Sequence, residues 1–443
     1  MWWSLYPGMG PAMVGWETPV YASKTVKRKR VHRETSAEVG AKASPATMAR
    51  PGSMSTPSGT NPSPAISASL NVAGPPVSNA TKGLIPAGVD YAKAAAVLKQ
   101  RADQEANIRK RFVDATAGIT HHSFDSSHHR LREAVRICSY PCLEPDHQKV
   151  QRLVRQLLTQ DNIASCGRAF GKWPILIGKA FPELEGMELS RMIVALNVFC
   201  DMNRRHAIVA GDTHALDFVE YFCGEGNLSK ECIKANLPGM AFDIAQAEHH
   251  DVLDPHGFRM FVMAQCHVAR HGLLWFGTQC SSFVRLCVSQ SKRDPDSNFG
   301  LGNQECSFVS VGNELMDVSS LLYLLGHMSE CMCVLEQPAG SVLPKVAQMN
   351  TVLLQTESIC CRTYGGSFGC ASQKPLHLWS NKTAINCLQK PKPASAGKQL
   401  ARKDEAGGWT GNKELLQASE VYTRAFGAAV VDMLRQYWQS VGR

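Results

Sequence analysis

No apolar run in the chain reaches the roughly 18 residues of a membrane-crossing helix, so no spanning segment is expected. The start, Met1-Trp2-Trp3-Ser4-Leu5-Tyr6-Pro7, places no basic region ahead of an apolar one, and a secretory leader is not expected either. A disulfide framework is excluded by proportion. The 16 cysteines are too sparse among 443 residues, and they lie mostly in apolar runs such as Cys331 to Leu335. Reduced thiols in an intracellular protein are the expectation. Metal-ligand spacing is missing as well. His121, His122, His128 and His129 fall in doublets, and Cys138, Cys142 and His147 complete no zinc pattern, so surface histidines and core cysteines are expected rather than a metal. Nor is there a surplus of acid. Lys and Arg number 47 against 38 Asp and Glu, a net charge of +9 that suits a polyanionic partner without requiring one.

The apolar residues that are present, 44% of the chain, support a real core, and the length leaves room for about two or three domains. Residues 1–88 are rich in Pro, Ser, Ala, Gly and Thr, and Ser44 to Pro76 carries almost no charge. A disordered tail is expected there. Its basic cluster, Lys24 to Arg33, suits nuclear import or phosphate contact; without that signal the protein would be cytoplasmic. Residues 89–210 read as a helical accessory region. Tyr91 to Val113 is Ala-rich, His147 to Leu158 sets Val150, Val154 and Leu157 on one face, and Glu188 to Cys200 is amphipathic.

Residues 211–443 change character. Leu216 to Phe222 is apolar enough for a buried strand. The glycine turn Cys223-Gly224-Glu225-Gly226-Asn227 follows, and helical spacing runs from Leu228 to Ala235. Strand, glycine turn and helix open a nucleotide-type α/β domain, with main-chain N–H groups at the helix start available to an anion. The alternation continues. Strands are predicted at Gly239 to Asp243, Leu273 to Gly277, Cys331 to Leu335, Ser358 to Tyr364 and Leu376 to Trp379. Helices are predicted at Pro255 to Arg270, Asn313 to Glu330 and Tyr422 to Tyr437. A doubly wound, mainly parallel sheet follows, with a flexible basic loop near 382–413. Such sheets bind ligands at the carboxyl ends of their strands. The glycine turn, Asp243, Cys280 and Glu336 all fall at such ends. Asp243 stands where an acid accepts ribose hydroxyls. Cys280 opens a Ser-rich loop, where a thiolate can act as nucleophile. Glu336 can be kept protonated in a partly buried cleft and donate to a ring nitrogen. The plainer alternatives are a solvent-facing acid at 243, a small core thiol at 280 and a helix-capping acid at 336.

Set side by side, these segments resemble the cytosine-5 DNA methyltransferases. Glu220 to Ser229, EYFCGEGNLS, is similar to the family's first motif. Gly277-Thr278-Gln279-Cys280-Ser281-Ser282-Phe283 is similar to its nucleophile loop. Leu335-Glu336-Gln337-Pro338 resembles its Glu-Asn-Val motif, and Tyr364-Gly365 with Gln373-Lys374 faintly resembles the motif of a Gln and two arginines. The likeness covers Leu216 to Trp379, about a third of the chain. It implies a Rossmann-like methyltransferase sheet that binds S-adenosylmethionine at Phe222, Cys223, Gly224, Glu225, Gly226, Asn227 and Leu228, with Asp243 on the ribose and Asp251 near the adenine. It also implies Cys280 as nucleophile toward carbon 6 of cytosine, Glu336 at N3, and methyl transfer to carbon 5. The substrate would be nucleic acid, DNA favoured over RNA, with the base flipped out or single-stranded. The departures are specific. Thr278-Gln279 stands where the family has Pro-Pro, Ser281 where it has Gln, Val284 where it has Ser, and Gln337 where it has Asn. Pro375 and His377 occupy the arginine positions. Only about 40 residues separate Trp379 from the last helix, too few for the usual target-recognition domain. Two alternatives stay open: an inactive scaffold of this fold that binds nucleic acid or protein, and a methyltransferase for another acceptor.

Overall fold

Leu216–Tyr221 forms β1, and five of its six residues are buried. Such a strand must be covered on both faces. Around it lies a six-stranded sheet in the order β2-β1-β3-β4-β6-β5. The strands are β2 Gly239–Phe242, β3 Val268–Phe276, β4 Met332–Pro338, β5 Ile359–Tyr364 and β6 Pro375–Ser380. β1 pairs in parallel with β2 and β3, and β3 with β4. β6 runs antiparallel to both β4 and β5. The chain is therefore an α/β protein with a mixed, mostly parallel sheet. It is described here by a computed structural model over residues 124–140, 143–166, 168–209, 215–394, 401–403, 409–411 and 419–443. The tail, its basic cluster Lys24 to Arg33, and the helix expected at Tyr91 to Val113 lie outside those residues, as do His121, His122 and Cys142.

Alternate residues of the strands feed two cores. Phe218, Leu273, Trp275, Met332, Val334 and Leu378 pack with Phe426, Val430 and Leu434. On the other face Val219, Tyr221, Leu274, Phe276, Cys333 and Leu335 join the helical region through residues such as Phe181, Leu196 and Phe199. In chain order the longer helices are α1 Phe124–Ser139, α2 Pro145–Leu157, α3 Gln160–Cys166, α4 Arg168–Ala180, α5 Leu189–Val209, α6 Asn227–Lys234, α7 Pro255–Cys266, α8 Ser307–Met328, α9 Ala347–Gln355 and α10 Arg424–Ser440. The face predicted for α2 is buried as Val150, Val154 and Leu157. α8 has the length and composition to cross a membrane, yet 72% of its apolar window is buried in this fold.

Several boundaries differ from the sequence reading; α5, expected to end at Cys200, runs to Val209, and β4 runs to Pro338. The helix expected to reach Arg270 stops at Cys266, and β3 begins at Val268 because Val268 pairs with Leu216. His271 has φ 64°, a left-handed kink that divides the strand and hides its period from a sequence reader. α8 starts at Ser307 rather than Asn313; Cys306 at its N-cap makes no side-chain cap, so no capping signal marks the start. Within the stretch read as a flexible loop, Thr383–Leu388 is a 3-10 helix with Ile385 and Leu388 buried, and Ala401–Lys403 pairs with Trp409–Gly411.

Candidate active site

From β1 the chain moves outward to β2, then returns across β1 to reach β3. Strand order reverses between β1 and β3, and the crevice outside their carboxyl ends is where such sheets take ligands. The turn after β1 has left-handed backbone at Phe222 (φ 60°), Gly224 (φ 55°) and Gly226 (φ 65°). Glycine adopts this freely; a bulky residue such as Phe222 is strained there. A side chain grown on Gly224 would meet nothing within 4 Å, so the turn is open on that side. Asp243, just past β2, closes the turn: its Oδ2 accepts the Gly224 N–H at 2.8 Å and its Oδ1 the Ala245 N–H at 2.8 Å. Gln246 donates to the Gly224 carbonyl at 2.8 Å and reaches the buried Cys223 sulfur at 3.1 Å. His250, held neutral by burial with its pKa down to about 4, takes the Asp243 N–H on Nδ1 at 3.3 Å.

Two donors that the sequence reading offered to a ligand are thus already used. Gly224 gives its N–H to Asp243, and Ser229, in the first turn of α6, gives its N–H to Glu220 at 2.9 Å. Each oxygen of Asp243 keeps a second lone pair for a hydroxyl. Leu228 is a core residue, so it offers a ligand no side chain. Asn227 ties α6 to the far end of the chain by donating to the Tyr422 carbonyl at 2.7 Å. Asp251 accepts the Leu253 N–H at 2.9 Å in the loop before α7. Glu225 is exposed. Glu220 was legible only as part of a motif; it is fully buried, its Oε1 has no partner among the described residues, and burial pushes its pKa up to about 7.

The loop after β3 meets this turn at Gly277. Its N–H bonds to the Tyr221 carbonyl at 3.0 Å, and a Cβ there would lie 3.0 Å from the Phe222 carbonyl oxygen and 3.3 Å from the Tyr422 hydroxyl. Thr278 and Gln279 leave the loop without a proline, yet it is fixed by other means. Gln337 Nε2 donates to the Thr278 carbonyl at 2.7 Å while its Oε1 accepts from Ser341 at 2.8 Å. Thr278 Oγ1 bonds Ser319 Oγ at 2.8 Å. Arg293, buried, donates to the Ser282 carbonyl at 2.8 Å and to Ser282 Oγ at 3.0 Å. The same guanidinium lies 3.8 Å from the Phe283 ring centroid and bonds Gly300, Leu301, Val309 and Asn313. Burial pushes its pKa down to about 10. Gly312 on α8 makes room for this, since a Cβ there would sit 2.3 Å from Ser282 Oγ. Cys280, half-buried, heads the turn, and its carbonyl accepts the Phe283 N–H at 2.8 Å. Burial and then the charge of Glu336 push its thiol up to about 12, while Lys374 opposes the rise.

Glu336 lies in β4 next to the antiparallel β6, opposite Leu378. It is buried, its Oε2 accepts the Tyr422 hydroxyl at 3.0 Å, and its Oε1 has no partner among the described residues. Tyr422 in turn accepts the Trp275 indole N–H at 3.1 Å. The adjacent strands β2, β1, β3 and β4 therefore bring Asp243, the glycine turn, Cys280 and Glu336 to one edge of the sheet. Tyr422, Gln337, Arg293, Gln246 and His250 are the members that sequence reasoning missed. Only Gln337, beside Glu336, carried any local signal. Among the described residues no three His, Cys, Asp or Glu side chains converge as metal ligands. His128 instead pairs with Glu183, and His147 Nε2 lies 3.5 Å from Asp201. Comparison of the chain with family models, curated proteins and solved structures gives no match.

Proposed function

We propose that the chain is an S-adenosylmethionine-dependent methyltransferase acting on carbon 5 of cytosine in nucleic acid, DNA favoured over RNA. The observation that carries the reading is Glu336. It is a buried carboxyl at the same sheet edge as Cys280, with one oxygen held by Tyr422 and the other without a partner among the described residues. A carboxyl so held can donate to N3 of a cytosine while the sulfur of Cys280 bonds to carbon 6. The electron pair displaced from the 5,6 double bond then makes carbon 5 nucleophilic. S-adenosylmethionine, when bound, supplies the electrophilic methyl group. Loss of the carbon 5 proton to a base and cleavage of the carbon 6–sulfur bond return the free thiolate. The open face of Gly224 and the unused lone pairs of Asp243 fit an adenosyl group at the glycine turn. The basic cluster at Lys24 to Arg33 would bring the protein to the nucleus.

One observation favours a second reading, an inactive scaffold of the same fold. A thiol pushed up to about 12 is a poor nucleophile unless something at the site relieves it. The two readings separate on one experiment. The protein is incubated with S-adenosylmethionine and oligonucleotides carrying 5-fluorocytosine, whose fluorine blocks the final elimination. A denaturation-resistant adduct that disappears in Cys280→Ser is expected. Cofactor binding without an adduct on DNA or RNA would sink the cytosine-5 reading in favour of another acceptor or a scaffold. Loss of cofactor binding as well would leave only the fold.

A further inference from the structure

Trp275, Tyr422 and Glu336 form a chain of hydrogen bonds with a fixed direction. Indole nitrogen can only donate, so the Trp275 N–H, 3.1 Å from the Tyr422 oxygen, occupies that oxygen as an acceptor. The Tyr422 hydrogen then points to its other neighbour, Glu336 Oε2 at 3.0 Å. Burial, followed by the charge of Glu336, keeps the phenol protonated far above neutral pH, so this donor is not lost by titration. If Glu336 carried its proton on Oε2 and aimed it at Tyr422, the Tyr422 oxygen would face two donors and its own hydrogen would be left without an acceptor; aimed elsewhere, the hydroxyl oxygen is a weaker acceptor for Tyr422 than a carbonyl oxygen, so both forms are disfavoured.

We propose that Tyr422 is a positioning residue that confines the proton of a neutral Glu336 to Oε1, the oxygen that is buried and has no partner among the described residues. The inference rests on the cytosine-5 reading for its chemical purpose, but the proton placement itself does not depend on it. A carboxylic acid that donates to a ring nitrogen must present its O–H, not its carbonyl, to the base. With Oε2 held as an acceptor, Oε1–H is the form presented, and the wrong tautomer is suppressed before substrate arrives. Tyr422 lies at the start of α10, and α10 closes one core of the sheet. Its carbonyl also accepts from Asn227 in the first turn of α6 at 2.7 Å, so the two ends of the catalytic edge are tied through one residue.

The test compares the full chain with Tyr422→Phe, which keeps the ring against Trp275 and Phe426 and removes only the hydroxyl. Infrared difference spectra across an acid titration identify the protonated Glu336 carboxyl as the band absent from Glu336→Gln. Tyr422→Phe is expected to move its carbonyl stretch to higher frequency, since that carbonyl loses a donor. An unmoved band, or no Glu336 band at any pH at which the protein stays folded, overturns the placement. The second measurement is the pH profile of adduct formation with 5-fluorocytosine DNA. Tyr422→Phe is expected to lower the plateau rate by about 10- to 100-fold and to shift the alkaline limb upward. A lowered plateau with an unmoved limb is what a merely structural role would give, and it overturns the proposal. A shifted infrared band in a protein that forms no adduct in its parent form leaves the proton placement standing and rejects the cytosine-5 reading instead.

Discussion

Arg293 should hold the Cys280 loop in place, and its replacement by Met tests this. The guanidinium is buried and bonds the carbonyls of Ser282, Gly300, Leu301 and Val309, the hydroxyl of Ser282 and the side-chain oxygen of Asn313. Met fills much of the same space over Phe283 and donates nothing. Leu301 keeps a donor in Asn313 Nδ2 at 3.1 Å, so the main losses fall on Ser282, Gly300 and the Asn313 side-chain oxygen. A stranded buried acceptor costs about 1–3 kcal/mol. Against this stands relief from burying a cation, the same burial that draws the Arg293 pKa down to about 10. The balance is a loss of roughly 2–4 kcal/mol, or a melting temperature lower by about 4–10 °C in a protein of this size. Calorimetry reads the global loss, and amide exchange reads the local one. Exchange around 278–284 should rise more than in β1 or β4. Arg293→Lys keeps the charge but has three donors in place of a planar fork, so it should recover only part of the loss. A Met variant as stable as the parent, with unchanged exchange in the loop, would refute the role assigned to Arg293.

The other predictions concern charge at the same edge. Glu336→Gln removes one of the causes that raise the Cys280 thiol, so Cys280 should alkylate faster with iodoacetamide at pH 8. Mass spectrometry of the 280 peptide checks this, and a slower reaction would contradict the assigned coupling. Glu220 has a folded pKa of about 7 against an ordinary 4.5. Its contribution to stability is thus fully present below pH 4.5 and lost as pH rises to 7. Glu220→Gln should therefore gain stability relative to the parent between pH 5 and 7.5, by roughly 2–4 kcal/mol in urea titrations. His250 and His327, both held near 4 by burial, act in the opposite sense. Their neutral forms are the ones the fold accepts, so stability should fall as pH drops from 6.5 toward 4, and the fall should persist in Glu220→Gln.

Much of the sheet was legible because its strands are short apolar runs separated by helical periods. β1, β2, β4, β5 and β6 appear within a residue or two of their expected places, apart from the carboxyl end of β4. Sequence adjacency also made the edge legible, since a glycine turn, an acid and a cysteine each follow a strand and another acid lies near the carboxyl end of β4. What was not legible depends on contacts across long separations. Tyr422 and Glu336 are 86 positions apart, and Asn227 and Tyr422 are 195 apart. No local pattern encodes such pairs. Arg293, flanked by Lys292 and Asp294, looks like a solvated charge run. Only the approach of α8 at Gly312 shows that it turns inward. Asp243 shows the converse: its position was legible, but half of its hydrogen-bonding capacity serves the turn itself.

These long-range contacts bear on the proposed cytosine-5 reading and on where the chain departs from that pattern. Pro-Pro before a nucleophile restrains a loop by limiting backbone torsions. Here Gln337, Thr278 and Arg293 restrain the loop by hydrogen bonds instead, and the Gln that follows the acid is the residue that reaches the Thr278 carbonyl. On the proposed reading, the departures at 278, 279 and 337 are therefore expected to be coupled rather than independent. If Gln337 serves the loop, Gln337→Asn alone should loosen it, because the shorter side chain cannot span the same gap. Placing Pro at 278 and 279 in that background should then recover part of the protection of Cys280 against alkylation. Recovery by the prolines in the Gln337→Asn background, against no gain in the parent, where they also cost the Thr278–Ser319 bond, is the signature of one restraint replacing another. Equal effects in both backgrounds would mean that Gln337 and the loop act separately, and that the loop was not rebuilt around a different set of bonds.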